Sequence, residues 1–493
     1  MRKLVVMLCL ALTQAIVAQT KIVVLSDIHL MAPTLLVNDG PAWKNLLDAD
    51  RKLLDFSRPL FDEAVERIKT IQPKLVLITG DLTKDGETVS HEYVVKKLDE
   101  LKAAGIMTLV IPGNHDIDRG GAAVAYDGES TIPVASPSLD EFASLYADYG
   151  YGVGSVFDGL SMTYCCEPVN GLVVIGINSG KDASISSETL DWVCEQASAA
   201  TTADKKILVM MHHALNLHIT NSDLFASTTV IDRSDEIRQR LIDAGVRVIL
   251  TGHFHTSDIA KDFNESLTES IYDIATGALA SYPCDYRELT FSTDLSELKV
   301  ATGHITSIAG HSEFSPNVAK ERLHASVKRT VKEAGLAKLR EKYGKLGASV
   351  FESTIKSLAN DAADAYIIHA EGDEHKADTE KLLALFTADL INKLIPGCRE
   401  MFCSMLKDLS PYGVVGRENQ TDDLSLTINM GQPEPTGIGD AMHLNDKGKA
   451  MGRCDSGNEM INDDLFTLFG QRLPGQPSHK GIYINKGLKV VMK

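Results

Sequence analysis

Several short segments combine carboxylate, amide and imidazole side chains at spacings that suit cation binding. They are Ser26-Asp27-Ile28-His29, Gly80-Asp81, Gly113-Asn114-His115-Asp116, His212-His213 and Gly252-His253-Phe254-His255. Imidazole and carboxylate are good ligands for zinc, iron and manganese. Residues two apart on an extended strand exit project to the same side. Asp27 with His29, and His253 with His255, are therefore each expected to reach one cluster. Gly80, Gly113 and Gly252 each precede a candidate ligand, where the missing Cβ permits a sharp turn and close backbone approach. Taken singly, an Asp or Asn at such a place reads equally well as a cap or turn residue. The whole set in this order is hard to read that way.

The elements around these segments explain how they could meet. Ile22 to Leu25, Leu75 to Ile78 and Ile106 to Ile111 read as buried strands. Between them, Leu60, Phe61, Ala64, Val65 and Ile68 recur at helical spacing, and Ser90 is placed to cap a helix that Gly105 ends. The alternation continues with strands at Leu172 to Ile177, Ile207 to Met211 and Val246 to Leu250, and helices at Ser187 to Ala200 and Asp235 to Ala244. Ile271 to Ile274 and a hairpin of Glu288 to Ser292 with Leu298 to Ala301 complete it. This order predicts an α/β domain with parallel strands, and every candidate segment follows a strand. Ligands in such sheets bind beyond the carboxyl ends of strands. Asp118 to Asn170, rich in Gly, Ser, Pro and Tyr, reads as an insertion or lid beside the site rather than part of the sheet.

The chain of 493 residues is too long for one ordinary core. Arg2 and Lys3, the apolar run from Leu4 to Leu12 and the small residues before Gln19 predict a signal peptide over 1–18, cut after Ala18, and a periplasmic or secreted product. Residues 19–309 form the first domain. Residues 310–493 are mainly helical (Val318 to Lys345, Val350 to Ile368, Thr379 to Ile395), with short strand-like runs at Leu424 to Ile428 and Gly481 to Val491. That region carries no ligand cluster, so a packing or dimerisation role, with homo-oligomers formed through it, is the plain expectation. No further long apolar run exists, so no transmembrane segment is expected in the mature chain. The net charge of -18 repels a phosphate backbone and argues against a nucleic-acid scaffold. Bound cations can still reverse the field in one pocket for a small anion. Seven of the 8 cysteines follow the leader, and Cys398 with Cys403 is one pairing open to them.

Asp27-x-His29, Gly80-Asp81, Gly113-Asn114-His115-Asp116, His212 and Gly252-His253-x-His255 together resemble the motif set of the calcineurin-like metallophosphoesterases. The resemblance runs over about residues 21–308. It implies a four-layer αββα sandwich and two divalent or trivalent metal ions, Mn, Fe or Zn. It implies that Asp27, His29 and His255 hold one metal, that Asn114, His212 and His253 hold the other, and that Asp81 bridges them. His115 would lie over the substrate phosphate and protonate the leaving group, with Asp116 orienting it. Family members often read His-x-Pro at the fourth of these motifs. Here it is His212-His213-Ala214, with His213 the alternative ligand. Leu82, Thr83, Lys84 and Asp85 follow Asp81, so the Tyr ligand of purple acid phosphatases is not expected. The Asp-x-His start is similar to bacterial cyclic-nucleotide and glycerophosphodiester phosphodiesterases.

Metals about 3.5–4 Å apart can share a water and lower its pKa toward ~7, giving a hydroxide for in-line attack on a phosphoester. The expected enzyme is thus an exported phosphodiesterase acting on a small-molecule phosphoester, with some phosphomonoester hydrolysis. A 5′-nucleotidase or acid-phosphatase-like monoesterase is the alternative, disfavoured by the helical C-terminal region and the 6% aromatic content. A dead binding scaffold is a third reading, opposed by the intact ligand set. No substrate-binding residue is identifiable. Arg119 and Tyr126 read as solvated loop positions, and Phe254 as a core side chain.

Overall fold

The computed structural model describes residues 19–152, 154–221, 229–264, 269–372, 379–386, 393, 396–407, 418–419, 422–431, 465–467, 481–485 and 488–492. The leader expected over 1–18, Cys454 and most of the helix expected beyond Phe386 lie outside these residues.

Strands that are apolar on both faces must be covered on both faces, and that requirement builds the layers. Fourteen strands form the two large sheets. In chain order they are β1 (Thr20–Leu25), β2 (Leu75–Ile78), β3 (Met107–Val110), β4 (Val156–Phe157), β5 (Tyr164–Val169), β6 (Leu172–Ile177) and β7 (Lys206–Met211). They continue as β8 (Val248–Thr251), β9 (Asp258–Phe263), β10 (Ser270–Ala275), β11 (Asp285–Phe291), β12 (Glu297–His304), β13 (Glu418–Asn419) and β14 (Ser425–Asn429). The first sheet has the order β14-β12-β11-β1-β2-β3 and the second β13-β9-β10-β8-β7-β6-β5-β4. β1, β2 and β3 run parallel, with Ile22 opposite Leu75 and Leu75 opposite Met107. β6, β7, β8 and β10 are likewise parallel.

The described helices are α1 (Pro41–Ala49), α2 (Ser57–Ile71), α3 (Thr88–Ala103), α4 (Leu139–Leu145), α5 (Ser187–Thr202) and α6 (Ser234–Asp243). After them come α7 (Pro316–Val350, broken at Gly344 with φ 71°), α8 (Glu352–Ala370), α9 (Glu380–Phe386) and α10 (Cys398–Lys407). Leu60, Phe61, Val65, Val94 and Leu98 of α2 and α3 pack on the first sheet, and the same core continues through Val24, Val174, Met210 and Leu250 between the sheets. On the far side, Val173, Ile175 and Val209 meet Leu190 and Val193 of α5 and Ile237 and Leu241 of α6. The predicted four-layer αββα sandwich is therefore present, followed by a helical region.

Some local expectations change. Residues 118–170 are not all outside the sheet, because β5 extends the second sheet antiparallel to β6 and β4 pairs antiparallel with β5. Asn170-Gly171, with Gly171 at φ 80°, makes the tight reversal into β6, and Asn-Gly is the strongest short hairpin signal. β9, buried along most of its length, follows the last ligand loop. Two pieces of the 310–493 region return to the sheets. β14 pairs with β12 on one edge and β13 with β9 on the other. Cys398 and Cys403 share α10 and are free thiols, and positions five apart on a helix face different directions. No described helix is long and apolar enough to cross a membrane.

The helical region has its own core. Leu336 and Leu339 of α7, Leu358 and Ala362 of α8, and Phe402 and Met405 of α10 pack with Ile219 and Phe254. Phe254 lies between two candidate ligands, so the helices are seated directly on the site.

Candidate metal centre

Each candidate ligand leaves the carboxyl end of a parallel strand: Asp27 and His29 after β1, Asp81 after β2, Asn114 after β3, His212 after β7, and His253 and His255 after β8. Three loops come from one sheet and two from the other. The residues at 27, 29, 253 and 255 are not on extended backbone as expected. Asp27, His29, Asp81, His253 and His255 have φ of 50°, 43°, 50°, 64° and 67°. The left-handed region costs a residue with a Cβ about 1 kcal/mol or more, and such outliers gather at functional sites. Backbone hydrogen bonds hold these turns: Asp27 N–H donates to Gly80 O at 3.1 Å and His29 N–H to Asp81 O at 2.9 Å. The glycines admit the close approach. A Cβ on Gly113 would lie 2.2 Å from Asp81 Oδ1, and one on Gly252 would lie 1.9 Å from Ser26 Oγ.

Two donor groups result, Asp27-His29-Asp81-His255 and Asp81-His212-His253. In the first, His29 Nε2 and His255 Nε2 face each other at 3.1 Å. Asp27 Oδ1 lies 3.2 Å from His255 Nε2, and Asp81 Oδ2 lies 3.6 Å from His29 Nε2. In the second, Asp81 Oδ1 is 3.4 Å from His212 Nε2. Asn114 Oδ1 lies 3.1 Å from His212 Nε2 and 2.9 Å from His253 Nδ1. Asp81 thus gives one oxygen to each group. Asp27 Oδ2 accepts from Ser26 Oγ at 2.6 Å and from His253 N–H at 2.9 Å, while its Oδ1 is buried without a hydrogen bond. An anchored oxygen beside an orphaned one, with imidazole nitrogens converging on it, fits a cation at the centre.

Electrostatics agree. Burial, then Lys52, holds His29 well below its ordinary value. Burial and His212 push His253 down to about 3, and burial with Arg51 pushes His255 down to about 4. These rings are neutral at pH 7 and can offer lone pairs. Burial opposes ionisation of Asp81, but His212 and His115 pull its carboxyl well below the usual range. Burial would lower His212, yet Asp81 raises it to about 9; its extra proton stands where a cation would stand.

His212 is the ring aimed at the centre. Its Nδ1 is 2.8 Å from Thr79 O, which directs Nε2 inward. His213 instead bonds Ser179 Oγ through Nδ1 at 2.8 Å and packs its ring against His253. His115 N–H donates to Asp81 Oδ1 at 2.8 Å, and its ring lies edge-on to His29 with centroids 5.1 Å apart.

The residue that holds the His115 ring is not Asp116. His115 Nδ1 lies 2.8 Å from both Lys84 O and Asp85 Oδ1. Asp116 is fully buried and accepts from the N–H of Leu82, Thr83 and Gly113 and from Thr83 Oγ1, so it ties two loops together. Adjacency in sequence misled here, because a carboxylate next to a histidine faces the other way in this turn. The signal for Asp85 was its place four residues after Asp81. Lys84 Nζ sits 2.5 Å from Asp85 Oδ2 and 3.1 Å from Glu87 Oε1. Arg119 reaches Asp85 at 3.5 Å, and Tyr126 is buried against Trp43.

Beneath the site, His218 lies between two buried carboxylates, 2.9 Å from Asp258 Oδ1 and 3.3 Å from Asp273 Oδ2. Its ring stacks on Phe254. His369 of α8 stands 3.7 Å from Asp258 Oδ2, so the helical region is tied to the same network.

Beside Asp81, His115, His253 and His255 opens a cavity of about 360 Å³. Among the described residues its wall comes from Arg51 and Lys52 and from α7, α8 and α10, and none of those lining it belongs to the expected 118–170 lid. Arg51 and Lys52 were missed in the sequence, where a charged pair after a short helix reads as a solvated turn.

Residues 20–257 match the model of the calcineurin-like phosphoesterases. Over 235 residues the chain is 24% identical to a probable cyclic nucleotide phosphodiesterase of Moraxella catarrhalis (strain BBH18), covering 48% of this chain and 70% of that one. A second probable cyclic nucleotide phosphodiesterase, from Xenorhabdus bovienii (strain SS-2004), is 31% identical over 104 residues, 20% of this chain and 35% of its own length. The crystal structure of a dimetal phosphatase from Danio rerio aligns with a TM-score of 0.41 at 11% identity, over 58% of this chain and 96% of that one. Through residues 20–257 this chain belongs to the calcineurin-like phosphoesterases and is a metal-dependent phosphoester hydrolase.

Proposed function

We propose that the chain hydrolyses phosphodiesters of small molecules at a dinuclear centre. The observation that carries this reading is Asp81, whose two oxygens serve two separate buried donor groups. Asp27, His29 and His255 would hold one ion with Asp81, and Asn114, His212 and His253 the other. Manganese, iron and zinc all suit this donor set of oxygen and imidazole nitrogen. When bound, two such ions supply water activation at neutral pH and neutralise charge developing on phosphate oxygens.

The chain's own residues do the rest. Asp27 and Asp81, held ionised, keep the donor set anionic and so attract cations. His115, which is half-buried and lines the cavity, donates a proton to the departing alkoxide through Nε2. Asp85 and the Lys84 carbonyl hold the Nδ1–H side of that ring and stabilise its charged form. The preference for diesters is supported by the two relatives named as probable cyclic nucleotide phosphodiesterases. Export, resting on residues 1–18, remains part of the proposal.

The test is hydrolysis by the manganese-reconstituted chain of bis-p-nitrophenyl phosphate against p-nitrophenyl phosphate and AMP, with metal content measured on the same sample. About two metals per chain and faster diester hydrolysis are expected. A preference for AMP makes it a monoesterase, and failure to bind metal ends the proposal.

A further inference from the structure

The cavity beside the metal centre has a polar end and a long apolar side. At the polar end lie Asp81, His115, His253 and His255, with Arg51 and Lys52 close by. Arg51 Nη1 is 3.4 Å from Tyr366 Oη, which holds the guanidinium between α8 and the centre. Arg51 and Lys52 line the same cavity as Asp81, His115, His253 and His255. They can neutralise phosphate oxygens that face away from the metals.

The rest of the wall is mostly hydrocarbon and thioether, with the hydroxyl-bearing Thr229 and Tyr366 among it. Val327 and Val331 come from α7, Met401, Phe402 and Met405 from α10, and Phe254 from the ligand loop. The polar groups on that side are small hydroxyls such as Ser326 and Thr330. Among the described residues of α7 and α10 that line the cavity, none is a carboxylate, amide or guanidinium that could read the edge of a base or sugar. A polar leaving arm would exchange water for apolar wall without gaining partners, which costs free energy. A hydrocarbon arm gains on transfer, and unbranched methionines adapt to a flexible chain.

The wall is also built in. Arg322 of α7 donates to Asp55 Oδ2 at 2.7 Å and Arg329 to Ala49 O at 2.6 Å, which pins the helix to the loop carrying Arg51 and Lys52. The helical region thus completes the substrate site.

We propose that the substrate is an amphiphile, a phosphoester with one alkyl ester arm lying in the cavity between Phe254, α7 and α10. This deepens the hydrolase reading and rests on it only for the fate of the head group. Calorimetric titration of the full chain with n-butyl, n-hexyl and n-octyl phosphonate, with and without manganese, tests it. The dissociation constant is expected to fall about two- to fourfold per added methylene until the cavity is full, in both metal states. Val327→Asn should flatten that dependence.

Affinity independent of chain length in the wild-type chain overturns the inference, as does an unchanged dependence in Val327→Asn. A companion assay on p-nitrophenyl n-alkyl phosphates separates the two readings. Absent hydrolysis with retained chain-length dependence of binding sinks the hydrolase reading alone. Hydrolysis of the methyl ester with chain-length-independent binding sinks the amphiphile alone.

Discussion

Asp85, not Asp116, should govern the proton that His115 delivers, and Asp85→Asn isolates that role. The amide oxygen can still accept from His115 Nδ1–H, and the Lys84 carbonyl at 2.8 Å keeps the ring in place. What disappears is the charge assistance, about half of a bond worth ~1.5–3 kcal/mol. A loss of about 0.75–1.5 kcal/mol in the transition state is about a four- to thirteenfold fall in kcat. Lys84 keeps Glu87 Oε1 at 3.1 Å, so the turn should survive. The fall should appear with alkyl leaving groups, which need a proton to depart, and be small with p-nitrophenolate, which does not. Metal content should not change. Asp116→Asn should behave otherwise: it turns an amide N–H₂ toward backbone donors and should destabilise the fold by about 1–3 kcal/mol, seen as a lower denaturant midpoint. Equal slowing of both esters in Asp85→Asn, or loss of metal from it, would refute the assignment.

Other outcomes follow from the same geometry. Asp81→Ala should empty both metal positions together, whereas His213→Ala should retain about two metals per chain, both read by elemental analysis of the purified variants. Burial lowers the His218 pKa, but Asp258 and Asp273 raise it to about 10. Because the folded value lies above the unfolded one of about 6.5, its stabilisation is complete below that pH and is lost as pH rises toward 10. Denaturation midpoints measured from pH 6 to 10 should therefore fall, and His218→Leu should cost about 3–5 kcal/mol at pH 7 by removing the cation that stands between two buried carboxylates. N-terminal sequencing of the exported product should begin at Gln19; retention of Met1 would remove the leader from the proposal.

The sequence by itself determined which residues stand at the strand ends and the order of strands and helices in the sandwich. Those are local facts: apolar runs such as Ile22–Leu25 and Leu75–Ile78 specify strands, and the residue after each run is set by the chain. The hairpin into β6 was also there to be read in Asn170-Gly171. Only the tertiary structure decided the rest. The left-handed backbone at Asp27, His29 and Asp81 is held by hydrogen bonds between loops, not by the preferences of Asp or His. The choice of Asp85 over Asp116 depends on how the 81–86 turn folds over His115. The helices after residue 315 read as plain amphipathic packing because a local pattern does not show what a helix faces. Val327, Met401 and Phe254 are distant in sequence and share one wall, and no local pattern encodes a surface assembled from segments so far apart.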